Sequence, residues 1–161
     1  MISFGLVFSI LVVFLALLTI YLGIKIVPQS KVFVIERFGR YHRTLNAGLS
    51  IIIPYLDSVA HRIDILERQL ESQRISVITR DNVEVELETS VFYRVIDASR
   101  SVYRISNIDQ ALTTETAAVV RSAAGKLELD ELQSSRDKMN AEIASTLSPS
   151  ADEWGINITR T

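Results

Sequence analysis

Histidine is a side chain that proteins often use for general base catalysis and metal binding, and this sequence has two, His42 and His61. They are far apart in the sequence, and neither belongs to a His-Glu-x-x-His motif. The chain has no cysteine, which excludes thiol nucleophiles, cysteine-ligated zinc and iron–sulfur sites, and palmitoylation. The Gly-x-Ser-x-Gly motif of hydrolases and the glycine-rich nucleotide motifs are also missing. We therefore predict no catalytic residue, no metal ligand and no cofactor.

Two groups of charged residues have the composition of a site. Glu84, Glu86 and Glu88 alternate along a predicted strand, about 7 Å apart, in a row that would attract a divalent cation or a basic partner. A Ser-Arg-Asp run at 135–137 lies on a predicted helix. Alternating charge is, however, the usual outer side of an antiparallel sheet, and charged residues opposite an apolar stripe are the usual outer side of a helix. We interpret both groups as solvated surface.

The N-terminal segment is the most apolar part of the chain. Residues 1–24 include no charged residue and no histidine, asparagine, glutamine or proline. As a helix, this segment would be about 35 Å long, slightly more than the hydrocarbon core of a bilayer. We predict a transmembrane helix and assign residues 1–25 to a membrane anchor. The alternative is a cleaved signal peptide, which the missing N-terminal Lys or Arg and the length of the apolar run disfavour.

Basic residues follow this anchor closely and predict its orientation. They are Lys25, Lys31, Arg37, Arg40 and Arg43. By the positive-inside rule, the N-terminus lies outside and the rest of the chain faces the cytoplasm, as in a single-pass protein of a bacterial inner membrane. The same residues are suited to contact anionic lipids of the bilayer. With a net charge of -2, the chain offers no general attraction to nucleic acid, which we exclude as a partner.

Small residues in the anchor are candidates for contacts with another membrane helix. Gly5, Ser9, Ala16 and Gly23 recur along it, the last three at intervals of seven residues. Small residues let helix backbones approach closely, so we predict a possible helix-packing seam. The alternative is ordinary membrane-helix composition, in which glycine and serine are common.

A second apolar run, at 49–56, is interrupted by Pro54 and is too short to span a membrane. Its centre is Ile51, Ile52 and Ile53. Three consecutive isoleucines fit either a strand buried on both faces or a patch that rests in the membrane interface. We predict a possible membrane-interface contact at Ile51, Ile52, Ile53 and Pro54.

The remaining residues predict an α+β domain at 26–161. A strand at 31–38 runs into Gly39, and a hairpin lies within 74–95, where apolar and polar residues alternate. A three-residue loop at 80–82, with Asn82 in the left-handed conformation, sets Ile75 opposite Leu87 and Arg74 opposite Glu88.

Helical spacing begins after Asp97, with one or two helices that end at Gly125. Another helix starts at Asp130, in capping-box spacing with Gln133, and ends at Pro149. A last strand starts near Trp154. We expect exposed strand edges at Lys31 and at 156–160, where neighbouring proteins would bind.

Several linear motifs together resemble the stomatin/prohibitin/flotillin (SPFH, or Band 7) superfamily, most closely its bacterial stomatin-like proteins. They are Val27-Pro28-Gln29, Glu36-Arg37-Phe38-Gly39-Arg40-Tyr41, Gly48-Leu49 with Pro54 and Asp57, the run 77–83, Tyr93-Arg94-Val95-Ile96-Asp97, Leu129-Asp130-Glu131 with Arg136-Asp137, and Trp154-Gly155-Ile156. Two prolines of the family pattern are replaced, by Ala47 and Ala98. Family members continue into a long helix that drives assembly, so we expect a domain whose C-terminal end is incomplete.

The resemblance implies a non-enzymatic scaffold. Its subunits would be anchored in the bilayer, assemble with copies of themselves, and organise membrane microdomains. They would modulate a membrane protease or another membrane protein in protein quality control. The alternatives are an anchored hydrolase with an unrecognised site, and an exported domain of reversed orientation.

Overall fold

The computed structural model of the chain describes residues 4–161, which divide into two compact units, the first ending at Asp64 and the second beginning at Ile65. The helices are α1 (Phe4–Gly23), α2 (Ala98–Tyr103), α3 (Ile108–Ala124), α4 (Leu129–Ser134) and α5 (Arg136–Glu153). The strands are β1 (Ile24–Val27), β2 (Lys31–Arg37), β3 (Arg40–Leu45), β4 (Gly48–Ile51), β5 (Asp57–Asp64), β6 (Arg68–Gln69), β7 (Gln73–Ile78), β8 (Glu84–Thr89), β9 (Phe92–Val95) and β10 (Ile156–Arg160). This confirms the predicted α+β class with antiparallel sheets and an N-terminal apolar helix.

The first unit begins with α1, whose side chains from Gly5 to Leu22 lie mostly exposed. Among the described residues, α1 is the one helix that is long and apolar enough to cross a membrane. It continues into β1 with no connecting loop, because Gly23 ends the helix and Ile24 begins the strand. The predicted division between an anchor and a domain at 25/26 therefore falls inside β1 and stays a prediction.

The core of the first unit lies on a three-stranded sheet with the order β3-β2-β5. One cluster of apolar side chains is buried against this sheet, namely Val27, Phe33, Ile35, Leu45 and Ile52. β2 is the central strand, since it pairs with β5 along its whole length and with β3 from Phe33 to Arg37. The predicted exposed edge is therefore limited to Lys31 and Val32, which pair with β5 but have no partner in β3. A single strand rich in β-branched residues does not reveal how many partners it has.

The second unit contains the predicted hairpin, β7–β8. Its register sets Arg74 opposite Glu88 and Ile75 opposite Leu87, as predicted. Asn82 has a φ of 62°, which confirms the left-handed position in the connecting loop. The alternating pattern that continues to Val95 is divided in the structure, because β8 ends at Thr89 and β9 then pairs with β6 and β10.

Helices α3 and α5 pack on this hairpin and form the core of the second unit. The buried residues are Ile75, Val77, Val120, Ala124, Leu132, Ile143 and Leu147. The predicted end of a helix at Gly125 is confirmed, since Gly125 is the C-cap of α3. The predicted last strand is also confirmed as β10, which pairs with β9 and with no second strand among the described residues.

Two predicted helix boundaries are wrong. The capping box is formed by Glu128 and Glu131, so Asp130 already lies in the first turn of α4. Pro149 does not end a helix but lies inside α5, which continues to Glu153. Proline removes one backbone donor, yet Leu147 and Ala151 on either side of it are buried and hold this turn in the core.

Candidate functional site

Of the residues whose types suggested chemistry, the two histidines lie on different strands, whereas Glu86, Glu88 and Arg136 line one pocket of the second unit. His42 lies on β3 and His61 on β5, both exposed. Within residues 4–161, no three residues among histidine, aspartate and glutamate are placed to hold a metal ion. Glu84, Glu86 and Glu88 are exposed along β8.

Side-chain hydroxyls of the same hairpin contact this glutamate row. Ser76 Oγ donates to Glu84 at 2.8 Å, and Ser72 Oγ donates to Glu88 at 2.7 Å. The Ser-Arg-Asp run lies at the junction of α4 and α5, where Arg136 and Asp137 are exposed. The glutamate row and Arg136 are thus exposed to solvent, and Glu86, Glu88 and Arg136 lie around the same open pocket.

An exposed apolar surface lies next to the end of α1, on the two-stranded sheet β1–β4. Ile24 is directly opposite Ile51, and Ile26 is opposite Leu49. Because side chains alternate along a strand, these four lie on one face of the sheet, which we call the apolar face. Ile26, Leu49 and Ile51 are 74%, 71% and 69% exposed, respectively. The strand at 49–51 is thus not buried on both faces, and that alternative is wrong.

The three isoleucines predicted as one patch have different surroundings. Ile51 and Ile53 are exposed, whereas Ile52 is buried in the core of the first unit. Pro54 is half-buried in the loop that follows. The exposed apolar surface instead gains Ile24 and Ile26 from β1. The sequence pattern assigned Ile24 to the end of the anchor and Ile26 to the start of the domain.

The loop at 52–56 packs against the last turns of α1. Ile52 N–H donates to the Gly23 carbonyl at 2.8 Å, and Tyr55 Oη lies 3.3 Å from Thr19 Oγ1. A Cβ atom on Gly23 would lie 2.7 Å from the Ile52 carbonyl oxygen, closer than a side chain tolerates. Glycine at this position therefore allows the loop to approach the helix.

Some of the small residues predicted as a helix-packing seam already make contacts within the first unit. Gly23 is buried against Ile52, so its absent side chain already serves a contact within the chain. Ser9 Oγ donates to the Gly5 carbonyl at 2.9 Å, and Ala16 is exposed. A seam that uses Gly5, Ser9 and Ala16 stays a prediction.

A buried ion pair holds the other end of this loop. Arg37 Nε donates to Asp57 Oδ1 at 2.6 Å, and the Ile53 N–H donates to Asp57 Oδ2 at 3.1 Å. The Asp57 side chain is 1% exposed. The hydrogen bond from Arg37, and after it the one from Ile53, lower the pKa of Asp57 to about 2, although burial opposes them. Asp57 therefore stays ionised and fixes the loop to β2.

In the second unit, two of the motifs noted in the sequence meet. The Gly155 carbonyl accepts hydrogen bonds from the N–H groups of Ile96 and Asp97, both at 2.9 Å. Gly155 has a φ of 71°, and a Cβ atom there would lie 2.5 Å from the Asp97 carbonyl oxygen. Asp97 in turn caps α2 by accepting from the N–H groups of Ser99 and Arg100. The hydrogen bond from Ser99 contributes most to lowering the pKa of Asp97.

A tyrosine–aspartate contact ties β9 to α3. Tyr93 is buried, and its hydroxyl donates to Asp109 Oδ1 in the first turn of α3. Burial and the neighbouring Asp109 carboxylate raise the pKa of Tyr93 to about 12. Sequence reasoning missed this pair and the Arg37–Asp57 pair, because their members are separated along the chain and share no periodic pattern.

Comparison with known proteins identifies the family of this chain. The SPFH domain / Band 7 family matches residues 25–161, which include every strand from β2 to β10. The chain belongs to the SPFH domain / Band 7 family. The SPFH match begins within β1 and leaves α1 outside, and the Tyr93–Asp97 and Trp154–Ile156 motifs that meet at Gly155 both lie inside it.

Three relatives of this SPFH chain come from distant organisms. An uncharacterized protein of Mycobacterium tuberculosis is 33% identical over 97% of this chain and 41% of its own length. A Methanothermobacter thermautotrophicus protein is 30% identical over 96% of this chain and 48% of its own length. The mitochondrial stomatin-like protein 2 of Homo sapiens is 34% identical over 83% of this chain and 38% of its own length. The chain thus spans less than half the length of these relatives.

Proposed function

We propose that this SPFH protein is a subunit of a membrane-anchored scaffold. Copies of it assemble with one another, organise the surrounding bilayer into a microdomain, and modulate a membrane protease or another membrane protein. Membership in the SPFH family and the similarity to stomatin-like protein 2 support this proposal. A scaffold needs an anchor and interaction surfaces but no catalytic constellation.

The apolar face of β1–β4 is the observation that carries the proposal. Four large apolar side chains would be costly in water, at about 1.5–3 kcal/mol for each one left exposed rather than buried. The face begins at the residue after α1, so a bilayer that holds α1 lies next to it. The face therefore rests in the membrane interface, together with Ile53 and Tyr55, which are also exposed.

The orientation of the anchor is part of the proposal. We propose that the N-terminus lies outside and the domain in the cytoplasm. The positive-inside rule supports this, since Lys25, Lys31, Arg37, Arg40 and Arg43 all lie on the C-terminal side of α1. In a bacterium, the membrane would be the inner membrane. We propose a scaffold rather than an anchored hydrolase because the chain belongs to the SPFH family and its sequence contains no hydrolase motif.

Tryptophan scanning tests the contact with the bilayer. In a Trp154→Phe background, Leu49→Trp places the one tryptophan on the apolar face, and Tyr41→Trp places it on exposed β3 as a matched control. In vesicles that contain lipids with brominated acyl chains, we expect strong quenching at position 49 and little at position 41. Equal, weak quenching at both positions would show that the apolar face lies in water and remove the main support for the proposal.

Crosslinking tests the assembly. A membrane-permeant crosslinker is applied to intact membranes, and the mass of the protein is also measured after extraction in a mild detergent. We expect a ladder of oligomers, and an unrelated single-pass protein of equal abundance should stay monomeric. A monomer in both measurements contradicts self-assembly.

A reporter fused after Thr161 tests the orientation. We expect activity from a reporter that works only in the cytoplasm. Activity from a periplasmic reporter instead would mean that the domain is exported and that its partners lie on the other side of the membrane.

A further inference from the structure

A pocket of about 300 Å³ opens beside the C-terminal end of α1, within the first unit. Its walls come from the last turn of α1, from β1 and β5, and from the loop at 52–56. The lining residues that matter here are Leu22, Lys25, Pro54, Tyr55, Asp57 and Arg62. The pocket therefore combines basic groups with apolar surface at the place where α1 meets the domain.

Two cations line this pocket without a carboxylate partner. Neither Lys25 nor Arg62 forms an ion pair within the part of the chain that the structure describes. The Arg62 guanidinium lies over the Phe33 ring, 5.3 Å from its centroid, which orients it while leaving its N–H donors available.

The one carboxylate that lines the pocket does not cancel these charges. Asp57 accepts from Arg37 in two hydrogen bonds, at 2.6 and 3.1 Å, and from the Ile53 N–H. The Arg37–Asp57 pair is neutral as a unit. Lys25 and Arg62 therefore leave the pocket with a net positive charge, suited to an anionic group.

The apolar walls indicate which kind of anion fits. Leu22 belongs to α1, and Pro54 and Tyr55 lie on the loop that packs against Gly23 and Thr19. A helix of twenty residues is about 30 Å long, the thickness of the hydrocarbon core, so its end lies at the level of the lipid headgroups. A free anion would gain nothing from Leu22 and Pro54, whereas a lipid would place its glycerol and first methylenes there.

We propose that this pocket binds the phosphoryl group of an anionic phospholipid, with Lys25 and Arg62 as its charge partners. The lipid would be held as an individual molecule rather than attracted to a diffuse basic surface. This inference rests on the proposed membrane anchoring of α1, but not on the proposed assembly or its partners.

Lipid titration tests the site on the full chain in a neutral detergent. The probe is short-chain phosphatidylglycerol, and bound molecules are counted by native mass spectrometry. Lys25→Gln with Arg62→Gln removes both charge partners. Lys31→Gln with Arg40→Gln removes the same charge from exposed positions of the same unit that do not line the pocket.

We expect saturable binding of one lipid to the unchanged protein. Each basic residue near an anionic surface contributes about a factor of five, so the pocket pair of substitutions should weaken binding about thirtyfold. The control pair should bind as the unchanged protein does. Lys25→Arg with Arg62→Lys keeps both charges and should retain binding, which separates charge from a general disturbance of the fold.

Three results would overturn the site. Equal affinity in the pocket and control pairs would mean a diffuse basic surface, and unchanged binding in every variant would mean that neither residue contacts the lipid. Full displacement by inorganic phosphate would assign the pocket to a free anion. Extraction of the same variants from membranes by alkaline carbonate is measured in parallel. A chain that resists extraction but binds no lipid contradicts only the site, whereas a chain that is extracted contradicts the anchoring as well.

Discussion

Asp57 is the residue that links the loop of the first unit to its sheet. Its carboxylate accepts hydrogen bonds from Arg37 of β2 and from the N–H of Ile53 in the loop. Its own N–H donates to the Ile53 carbonyl at 2.8 Å. Four hydrogen bonds, two of them from Arg37, thus converge on one buried carboxylate and its backbone. The proline of this loop fixes one backbone angle, but the position of the loop depends on the charge of Asp57.

Acid should release this loop. The pKa of Asp57 is about 2 in the folded chain, against about 3.9 for an unperturbed aspartate. Because the pKa of Asp57 is lower in the folded chain, its ionised form stabilises the fold at any pH above the pKa of the unfolded chain. This contribution is lost as the pH falls from about 4 to about 2. We expect the free energy of unfolding of Asp57→Asn to be lower at neutral pH and less dependent on pH in this window.

Denaturant titrations at several pH values, followed by circular dichroism in detergent, measure this effect. Glu86→Gln is the control, because Glu86 is an exposed carboxylate on β8. An Asp57→Asn variant that keeps the pH dependence of the unchanged protein would contradict the role of this ion pair.

Tyr93 should give the second unit a sensitivity to alkali. Its pKa of about 12 lies above the usual value near 10. The protonated Tyr93 hydroxyl therefore stabilises the fold fully below about pH 10, and this stabilisation is lost as the pH rises toward 12. Tyr93→Phe removes the hydrogen bond to Asp109 and should lower the free energy of unfolding by about 2 kcal/mol at neutral pH.

The same titrations, extended to alkaline pH, test this prediction. Tyr93→Phe should lose stability less steeply above pH 10 than the unchanged protein, while Tyr41→Phe, an exposed tyrosine of β3, should follow the unchanged protein. Identical alkaline profiles for all three chains would contradict it.

Among the elements, the β2–β3 hairpin turns through two residues that both have positive φ. Phe38 has a φ of 50° and Gly39 a φ of 75°, and Phe38 is 78% exposed. Such a turn favours asparagine followed by glycine, whereas a bulky side chain in the left-handed region costs about 1–2 kcal/mol. We expect Phe38→Asn to raise the free energy of unfolding by about 1 kcal/mol.

Chemical denaturation measures this gain, and Phe38→Ala separates its causes. Alanine removes the exposed ring but keeps the unfavourable backbone conformation, so it should gain less than asparagine. A larger gain with alanine would mean that the exposed ring, and not the backbone, is the unfavourable feature.

Helix α2 begins at a position suited to proline. Ala98 is its first residue, where the backbone N–H is not needed by the helix, and Asp97 before it is extended, with a φ of -122° and a ψ of 100°. We therefore expect that a proline at position 98 would change the rigidity of this turn and not the fold. Ala98→Pro should raise the free energy of unfolding by about 0.5–1 kcal/mol by restricting the unfolded chain.

Thermal unfolding compares Ala98→Pro with Ala111→Pro, which places the same residue inside α3. The interior substitution should cost about 3 kcal/mol or more. Loss of stability in Ala98→Pro would show that the buried surroundings of Ala98 do not accept the ring.

Local patterns predicted those elements whose structure depends on near neighbours. The apolar residues Ile75, Val77, Val85 and Leu87 occupy alternate positions, and the loop between the two strands has three residues. These two facts were sufficient to predict the register of β7–β8. The central position of β2 and the continuation of α5 through Pro149 depend on packing against distant residues, which a linear pattern does not contain. The apolar face was predicted only in part, because Ile26 joins Leu49 through a pairing of β1 with β4 that no local signal indicates.

At the scale of the whole molecule, the second unit has a complete core of its own. Strand β7 supplies Ile75 and Val77, and helices α3 and α5 supply Val120, Ile143 and Leu147. Residues 65–161 expressed alone should therefore fold with a single cooperative transition.

Circular dichroism during chemical denaturation tests this prediction. Leu147→Ala, which truncates a fully buried side chain, should lower the free energy of unfolding of this segment by about 3 kcal/mol. A segment that shows no cooperative transition, or one that Leu147→Ala leaves unchanged, would mean that its core requires the first 64 residues.

The direct passage from α1 to β1 has a mechanical consequence. A transmembrane helix tilts to match the thickness of the hydrocarbon around it. Because the Gly23 carbonyl accepts from Ile52 and Thr19 lies within hydrogen-bond distance of Tyr55, a tilt of α1 would carry the β1–β4 sheet with it. The same chain would then press its sheet to different depths in thin and in thick bilayers, and in this way act as a gauge of membrane thickness.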